Sequence, residues 1–270
     1  MHAAFKAIGF VALTTAFYSL WLLARTCLIA FPNQKNRYRN WAFRNWARGM
    51  VALLRARLDV NGTPPRPPFL MVSNHLSYVD VIVLAALVDG VFIAKSEIAD
   101  WPILGRVVNG IGTIFINRKN ARDLTRVSAL IQSAIQGGQG VFLFPEGTST
   151  RGAEVLPFKP GLLDVAAQAE MPVHYAALSY RTLPNESPAE LSVCWWGEMT
   201  FLPHLWALFQ LSQIDCQITF GAEPIIEQNR KTLAERLHAA VQENFKPTSR
   251  PMTVTEEMHK AWKISCQLDH

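Results

Sequence analysis

Acidic side chains are almost missing from the first sixty residues of this 270-residue chain. Asp59 stands alone there against nine Lys and Arg, a local charge of +8. The remaining residues hold 17 basic and 20 acidic side chains, so the overall +5 belongs to an N-terminal arm and the body is near neutral. Charge is scarce throughout, at 17% of residues against a usual ~25%, while half the residues are hydrophobic. The four cysteines, Cys27, Cys194, Cys216 and Cys266, show no C-x-x-C spacing. That argues against a zinc site or a disulfide framework and suits reduced thiols in a body facing the cytoplasm. No internal repeat is apparent. The length is that of one large domain or two small ones, ample to bury a core.

A basic arm suits nucleic acid or an anionic membrane surface, and the residues beside the charges favour membrane. Ala7 to Ala24 is an 18-residue run without a charge, bracketed by Lys6 and Arg25. A span needs roughly 20 apolar residues, which snorkelling Lys and Arg could supply. A secretory signal fits poorly, because Arg25 breaks the run and no A-x-A site follows. Further on, a helix over "NQKNRYRNWAFRNWARGMVALLRARLDV" would gather Arg37, Arg44, Arg48 and Arg55 in one stripe. Ala42, Trp46, Met50 and Leu53 would lie opposite. Such a helix suits a membrane surface with Trp41 and Trp46 in the headgroup layer; packing on the protein's own core is the alternative. Positive charge follows the run more than it precedes it, which puts the body on the cytoplasmic face of the inner membrane. Whether the run crosses the bilayer or dips into one leaflet stays open.

The Pro-rich "NGTPPRPP", Asn61 to Pro68, is a natural boundary. The expected organisation is a membrane-associated helical arm over 1–60, a catalytic domain over 61–245 and a polar tail over 246–270. In the body, "FLMVS", "VFIAK", "GTIFIN" and "GVFLF" look like buried strands. Helical stretches lie between them at Tyr78–Leu87, Pro102–Asn109 and Asn120–Gln136. A helix near Leu162–Gln168 follows, then strands near Val173–Ser179, Leu191–Trp196 and Ile214–Phe220, and a helix over Lys231–Phe245. This alternation predicts an α/β fold with a mostly parallel sheet flanked by helices. "FLPHLWALFQL", Phe201 to Leu211, is too short to span a bilayer. It is a core helix by default, or a second membrane-facing patch.

His75 and Asp80 stand five residues apart in "VSNHLSYVD". "SYVD" fits a helix capping box, with Ser77 as cap, which accounts for Asp80 but not for His75. A carboxylate in a first helical turn points back toward the N-terminus. Asp80 could therefore hold one imidazole nitrogen and leave the other for a substrate, as in an acid–base triad whose nucleophile is the substrate's own hydroxyl. Two later strand ends add polar groups: Arg118 closes "GTIFINR", and Glu146 and Arg151 lie in "FLFPEGTSTR". Strand ends on one edge of an α/β sheet form the usual ligand crevice, and forked arginines suit a phosphate.

The three segments together resemble the glycerolipid acyltransferase family, above all its bacterial 1-acylglycerol-3-phosphate acyltransferase group. "NHLSYVD" matches the N-H-x-x-x-x-D signature, and "GTIFINR" and "FPEGTSTR" match the second and third blocks in order and spacing. The resemblance implies His75 as general base, Asp80 as its orienting partner, and Arg118, Glu146, Gly147, Thr148 and Arg151 as acceptor-binding residues. It implies transfer from acyl-CoA or acyl carrier protein to the sn-2 hydroxyl of lysophosphatidic acid in the membrane, with no metal, cofactor or nucleic acid. Another lysolipid acceptor, such as a lyso-ornithine lipid, is the nearest alternative; a hydrolase using the dyad on water and a non-catalytic lipid-binding protein are others. The fourth block departs from the family, since "MPVHYAAL" has Tyr175 where a second proline is usual. That bears on the expected pocket wall.

Overall fold

The computed structural model describes residues 2–101, 104–118, 120 and 122–249. Cys266, the tail from residue 250 and the start of the helix expected at 102–109 lie outside the described residues. Two long helices come first, α1 (His2–Cys27) and α2 (Pro32–Leu54). Then follow β1 (Ala56–Asn61), β2 (Phe69–Ser73), α3 (Val79–Leu87) and β3 (Val91–Lys95), a 3-10 turn at Ser96–Asp100, α4 (Leu104–Gly110), β4 (Ile114–Ile116), α5 (Asp123–Gln136) and β5 (Gly140–Leu143). The second half comprises α6 (Asp164–Gln168), β6 (Val173–Thr182), the short α7 (Ala189–Ser192), α8 (Phe201–Gln210), β7 (Ile214–Phe220) and α9 (Arg230–Asn244).

The strands form one seven-stranded sheet in the order β1-β7-β6-β2-β5-β3-β4. Every neighbouring pair is parallel except β6 with β7, so the sheet is mostly parallel, as the alternation predicts. The central strands explain themselves. Every residue of β2 and β5 is buried, which demands the unbroken apolar runs "FLMVS" and "GVFL". Nearer the edge, β7 alternates buried and part-exposed residues, and β1, with Arg57 and Asp59, is mostly exposed. Helix α5 packs against β4 and β5, α9 against β6, and α2 against α3.

Two expectations are corrected. Leu191–Trp196 is not a strand: Ala189–Ser192 is one helical turn entered from Pro188, and the chain then runs irregularly, with Trp195 N–H donating to Leu76 O at 2.8 Å. A short apolar run signals burial, not its backbone geometry. The arm's helix also ends earlier than its charge pattern suggested. Arg55 adopts the left-handed conformation (φ 54°) as the C-cap of α2, and β1 starts at Ala56 and pairs with β7. The sheet therefore begins before residue 61.

The basic stripe of α2 is partly engaged by the neighbouring helix α3. Arg44 pairs with Asp89 at 3.0 Å and donates to Leu87 O, while Arg48 donates to Ala86 O at 3.2 Å. Both guanidinium groups thus meet the carbonyl end of α3, where positive charge is stabilising. The opposite face, with Ala42 and Met50, is buried. Trp41 is exposed. Helix α1 differs: Lys6, Phe17 and Trp21 are buried, but Phe5, Ile8, Val11, Leu20 and Leu23 are exposed. By length and composition it could cross a membrane.

Tyr175 also has a packing role. A Cβ on Gly221 would lie 2.3 Å from the Tyr175 ring, so the ring lies flush on that glycine's backbone. Tyr175 does not line the cavity described below. Overpacking typically costs 1–3 kcal/mol. Gly221→Ala should accordingly lower stability by about 2 kcal/mol in denaturant titration. In a Tyr175→Ala background most of that cost should vanish; additive costs would contradict the packing assignment.

Candidate active site

The turn after β2 is held from four directions. Asn74 is fully buried and mimics a strand neighbour: its Nδ2 donates to Leu178 O at 2.9 Å and its Oδ1 accepts from Leu178 N at 2.7 Å. His75 N–H donates to Glu146 Oε1 at 2.6 Å, and His75 O accepts from Thr150 N at 3.0 Å. Leu76 O receives Trp195 N–H. A loop with this many backbone bonds holds its side chains in one place.

His75 and Asp80 are brought together as their spacing suggested. His75 Nδ1 lies 2.7 Å from Asp80 Oδ2. A carboxylate is acceptor-only, so Nδ1 carries the hydrogen and Nε2 keeps the lone pair. Asp80 is fully buried. Its Oδ2 also accepts from Leu76 N at 2.7 Å and Ser77 N at 3.0 Å, and its Oδ1 accepts from Tyr180 OH at 2.6 Å. Burial first, and then the Asp80 charge, push the Tyr180 phenol well above its usual range, so it remains a donor. The His75 ring stacks on Phe144 with centroids 4.2 Å apart and is 22% exposed. It is braced on one face and still reachable.

The capping box is only half realised. The Asp80 carboxylate meets the N–H of Ser77, but Tyr78 occupies the N-cap position without a side-chain bond. The Ser77 hydroxyl is buried and makes no hydrogen bond among the described residues. Asp80 ties down the N–H groups just ahead of the helix and holds His75 at once.

His75 opens on a cavity of about 590 Å³. Its polar lining includes, at the ends of β2, β3, β4 and β5, His75, Lys95, Arg118, Gly147 and Thr148, joined by Lys159 and by the acid Glu97, whose charge acts on Arg118. Its apolar lining comes from helices, with Phe10 and Phe17 of α1, Trp46 and Met50 of α2, and Leu205 and Leu208 of α8, and from the sheet, with Phe92, Ile93, Ile116 and Leu143. Arg118 Nη1 donates to Gly147 O. Lys159 reaches the same turn from the other side. Gly147 has φ +75°, and a Cβ there would fall 2.8 Å from Lys159 Nζ, so glycine satisfies both the backbone and the approach of the ammonium group.

The expected binding residues therefore divide. Arg118, Gly147 and Thr148 line the cavity with His75. Glu146 and Arg151 do not. Glu146 is buried, with Oε2 accepting from Leu156 N at 3.0 Å while Oε1 holds His75 N. It joins the His75 turn to the loop beyond β5. Arg151 is part-buried beside Gly152, whose carbonyl accepts from Thr248 N at 2.7 Å and Ser249 N at 3.2 Å. The last described residues are thus packed on the body, within the segment expected as a polar tail.

Sequence reasoning missed Lys159 and Tyr180. Lys159 follows an irregular loop with no periodicity to flag it. Tyr180 lies one hundred residues after Asp80. Only the parallel pairing of β6 with β2, Ser73 opposite Ala176, carries it there.

A family model described as Acyltransferase matches residues 57–179. The chain is 31% identical over 207 residues to the 1-acyl-sn-glycerol-3-phosphate acyltransferase of Neisseria meningitidis serogroup B, covering 75% of this chain and 80% of that protein. It is 32% identical to the lyso-ornithine lipid O-acyltransferase of Rhodobacter capsulatus, covering 74% of each. The crystal structure of the 1-acyl-sn-glycerophosphate acyltransferase of Thermotoga maritima superposes with a TM-score of 0.60 at 18% identity, over 89% of this chain and 96% of that one.

Glu146 makes stability depend on pH. Burial raises its carboxyl to about 8, against the opposing pull of the His75 and Leu156 N–H groups. A raised carboxyl value means that the folded protein binds a proton the unfolded chain releases. Its stabilising contribution is complete below the ordinary carboxyl range near 4.5 and is lost as pH rises toward about 8, at about 1.4 kcal/mol per unit. Melting temperatures should fall between pH 5 and 8 by more in the wild type than in Glu146→Gln. Parallel profiles would exclude this titration.

Proposed function

The chain belongs to the acyltransferase family, and from that premise we propose that it transfers a fatty acyl group from a thioester to the sn-2 hydroxyl of 1-acylglycerol-3-phosphate, giving phosphatidic acid. The observation that carries this reading is the Asp80–His75 pair at 2.7 Å, opening on a cavity with cations and apolar helices in its walls. His75 Nε2 takes the hydroxyl proton as the oxygen attacks the thioester carbonyl. The tetrahedral intermediate collapses, the C–S bond breaks, and the thiolate takes the proton back from Nε2. Asp80 supports the imidazolium between the two steps. Positioned base catalysis contributes roughly 10²–10⁴-fold, and holding the reactants together adds to it.

The acceptor phosphate falls to Arg118 and Lys159 beside Gly147, an assignment supported by their place in the cavity lining. Glu146 acts by holding the backbone of His75. The apolar helical walls suit acyl chains. Acyl-CoA and acyl carrier protein fit the thioester role equally. The exposed apolar surface of α1 supports attachment to a membrane, and the excess of Lys and Arg after the run favours the cytoplasmic face of the inner membrane for the catalytic domain. A lyso-ornithine lipid is a second acceptor reading, favoured by the Rhodobacter capsulatus relative of similar identity. Such an acceptor offers no phosphate for the two cations.

Purified protein given acyl thioester and a panel of lysolipids should produce phosphatidic acid, identified by mass. His75→Ala should lose turnover by roughly 10²–10⁴-fold while the protein stays folded, as read by circular dichroism. Arg118→Ala and Lys159→Ala should each cut kcat/KM for the phosphate-bearing acceptor roughly ten- to a hundredfold. Acylation of lyso-ornithine lipid in preference to lysophosphatidic acid, indifferent to both substitutions, would replace the acceptor assignment. Full turnover in His75→Ala would end the base assignment.

A further inference from the structure

We infer that the outer face of α8 is a second lipid-contacting surface, lying at the boundary between headgroups and acyl chains beside α1. The inference rests on the reading of α1 as membrane-attached. Leu202 and Trp206, four residues apart and so on one helical face, are 73% and 47% exposed. Pro203 between them is exposed too. No charged residue occurs from Met199 to Ile214.

The one titratable side chain in α8 is turned away from that face. His204 is buried, its Nε2 2.9 Å from Cys194 O and its Nδ1 2.9 Å from Tyr78 OH. The carbonyl can only accept, so Nε2 donates to it and Nδ1 accepts from the phenol. What remains outside is aliphatic and aromatic, closed at one end by exposed Gln210. A protein partner is met by a polar rim around an apolar centre. An uncharged stripe carrying a tryptophan suits a lipid interface.

The stripe is also continuous with α1. Phe10 meets Phe209 with ring centroids 5.7 Å apart, and Lys6 Nζ donates to Leu211 O, the C-cap of α8, at 2.6 Å. These contacts lock the two helices together, with Val11 of α1 exposed nearby in sequence. Phe201, Leu205, Leu208 and Phe209 of α8 line the cavity, whereas Leu202 and Trp206 do not, so α8 forms the wall between the cavity and the proposed lipid contact. Acyl chains would reach the cavity from lipid along this wall.

The test uses full-length protein carrying Cys27→Ser and Cys266→Ser, since Cys194 and Cys216 are buried. Leu202→Cys, Val11→Cys and, on α9, Glu235→Cys are each labelled with an environment-sensitive fluorophore. The proteins are reconstituted with phosphatidylcholine/phosphatidylglycerol vesicles whose acyl chains carry nitroxide quenchers. Most of the fluorescence should be lost at positions 202 and 11, and little at 235. Quenching at 11 without 202 overturns the α8 assignment and leaves the α1 reading standing. Quenching at neither overturns both. A blue-shifted but unquenched label at 202 would reveal a protein partner or self-association and also overturn it. Leu202→Gln/Trp206→Gln, whose two positions do not line the cavity, should lose acylation several-fold with acceptor in vesicles and little with acceptor in detergent. Equal loss in both would mark a structural defect and count against the proposal.

Discussion

A single buried carboxylate organises the site. Asp80 receives an imidazole N–H, two backbone N–H groups and a phenol, and burying a charge is tolerable only with such a set of donors. Those bonds do two jobs together: they fix the turn between β2 and α3, and they select which ring nitrogen of His75 is left for a substrate. Losing the carboxylate would remove both, because the same oxygen serves each.

Around that centre the protein divides polar from apolar duties. Strand ends of β2, β3, β4 and β5 bring His75 and the cations to one edge of the sheet, the expected place for a ligand in an α/β fold. Helices α1, α2 and α8 supply walls that repel water. The two N-terminal helices thus belong to the cavity as well as to any membrane attachment. A substrate with a charged head and a long tail meets the matching surface at each end.

Much of this was legible in the chain. Strands β2, β3 and β5 announced themselves as unbroken apolar runs because both faces of a central parallel strand are covered. The His75–Asp80 contact followed from helix geometry, since the first turn of α3 aims Asp80 back at the preceding loop. The pattern is ambiguous where two structures share one signal. The stripe of arginines on α2 reads the same whether it faces lipid headgroups or the carbonyl end of α3, and Arg44 and Arg48 do the latter. The run at Leu191–Trp196 signals burial, which a helical turn and irregular chain satisfy as well as a strand.

Glu146 and Arg151 illustrate the same limit from the site's side. Both stand in the glycine-turn segment, yet Pro145, Gly147, Thr148 and Ser149 line the cavity and Glu146 and Arg151 do not. The backbone alone decides which neighbours turn inward, and here Glu146 turns to hold His75 and Leu156. By itself, the sequence determined the alternation of elements, the family likeness and the local pairing of a histidine with a carboxylate, because each depends on residues within a few turns of one another. Tertiary structure decided that Tyr180 completes the Asp80 shell and that Lys159 joins Arg118 at Gly147. Those contacts join positions far apart in the chain, and only strand order and register bring them within reach.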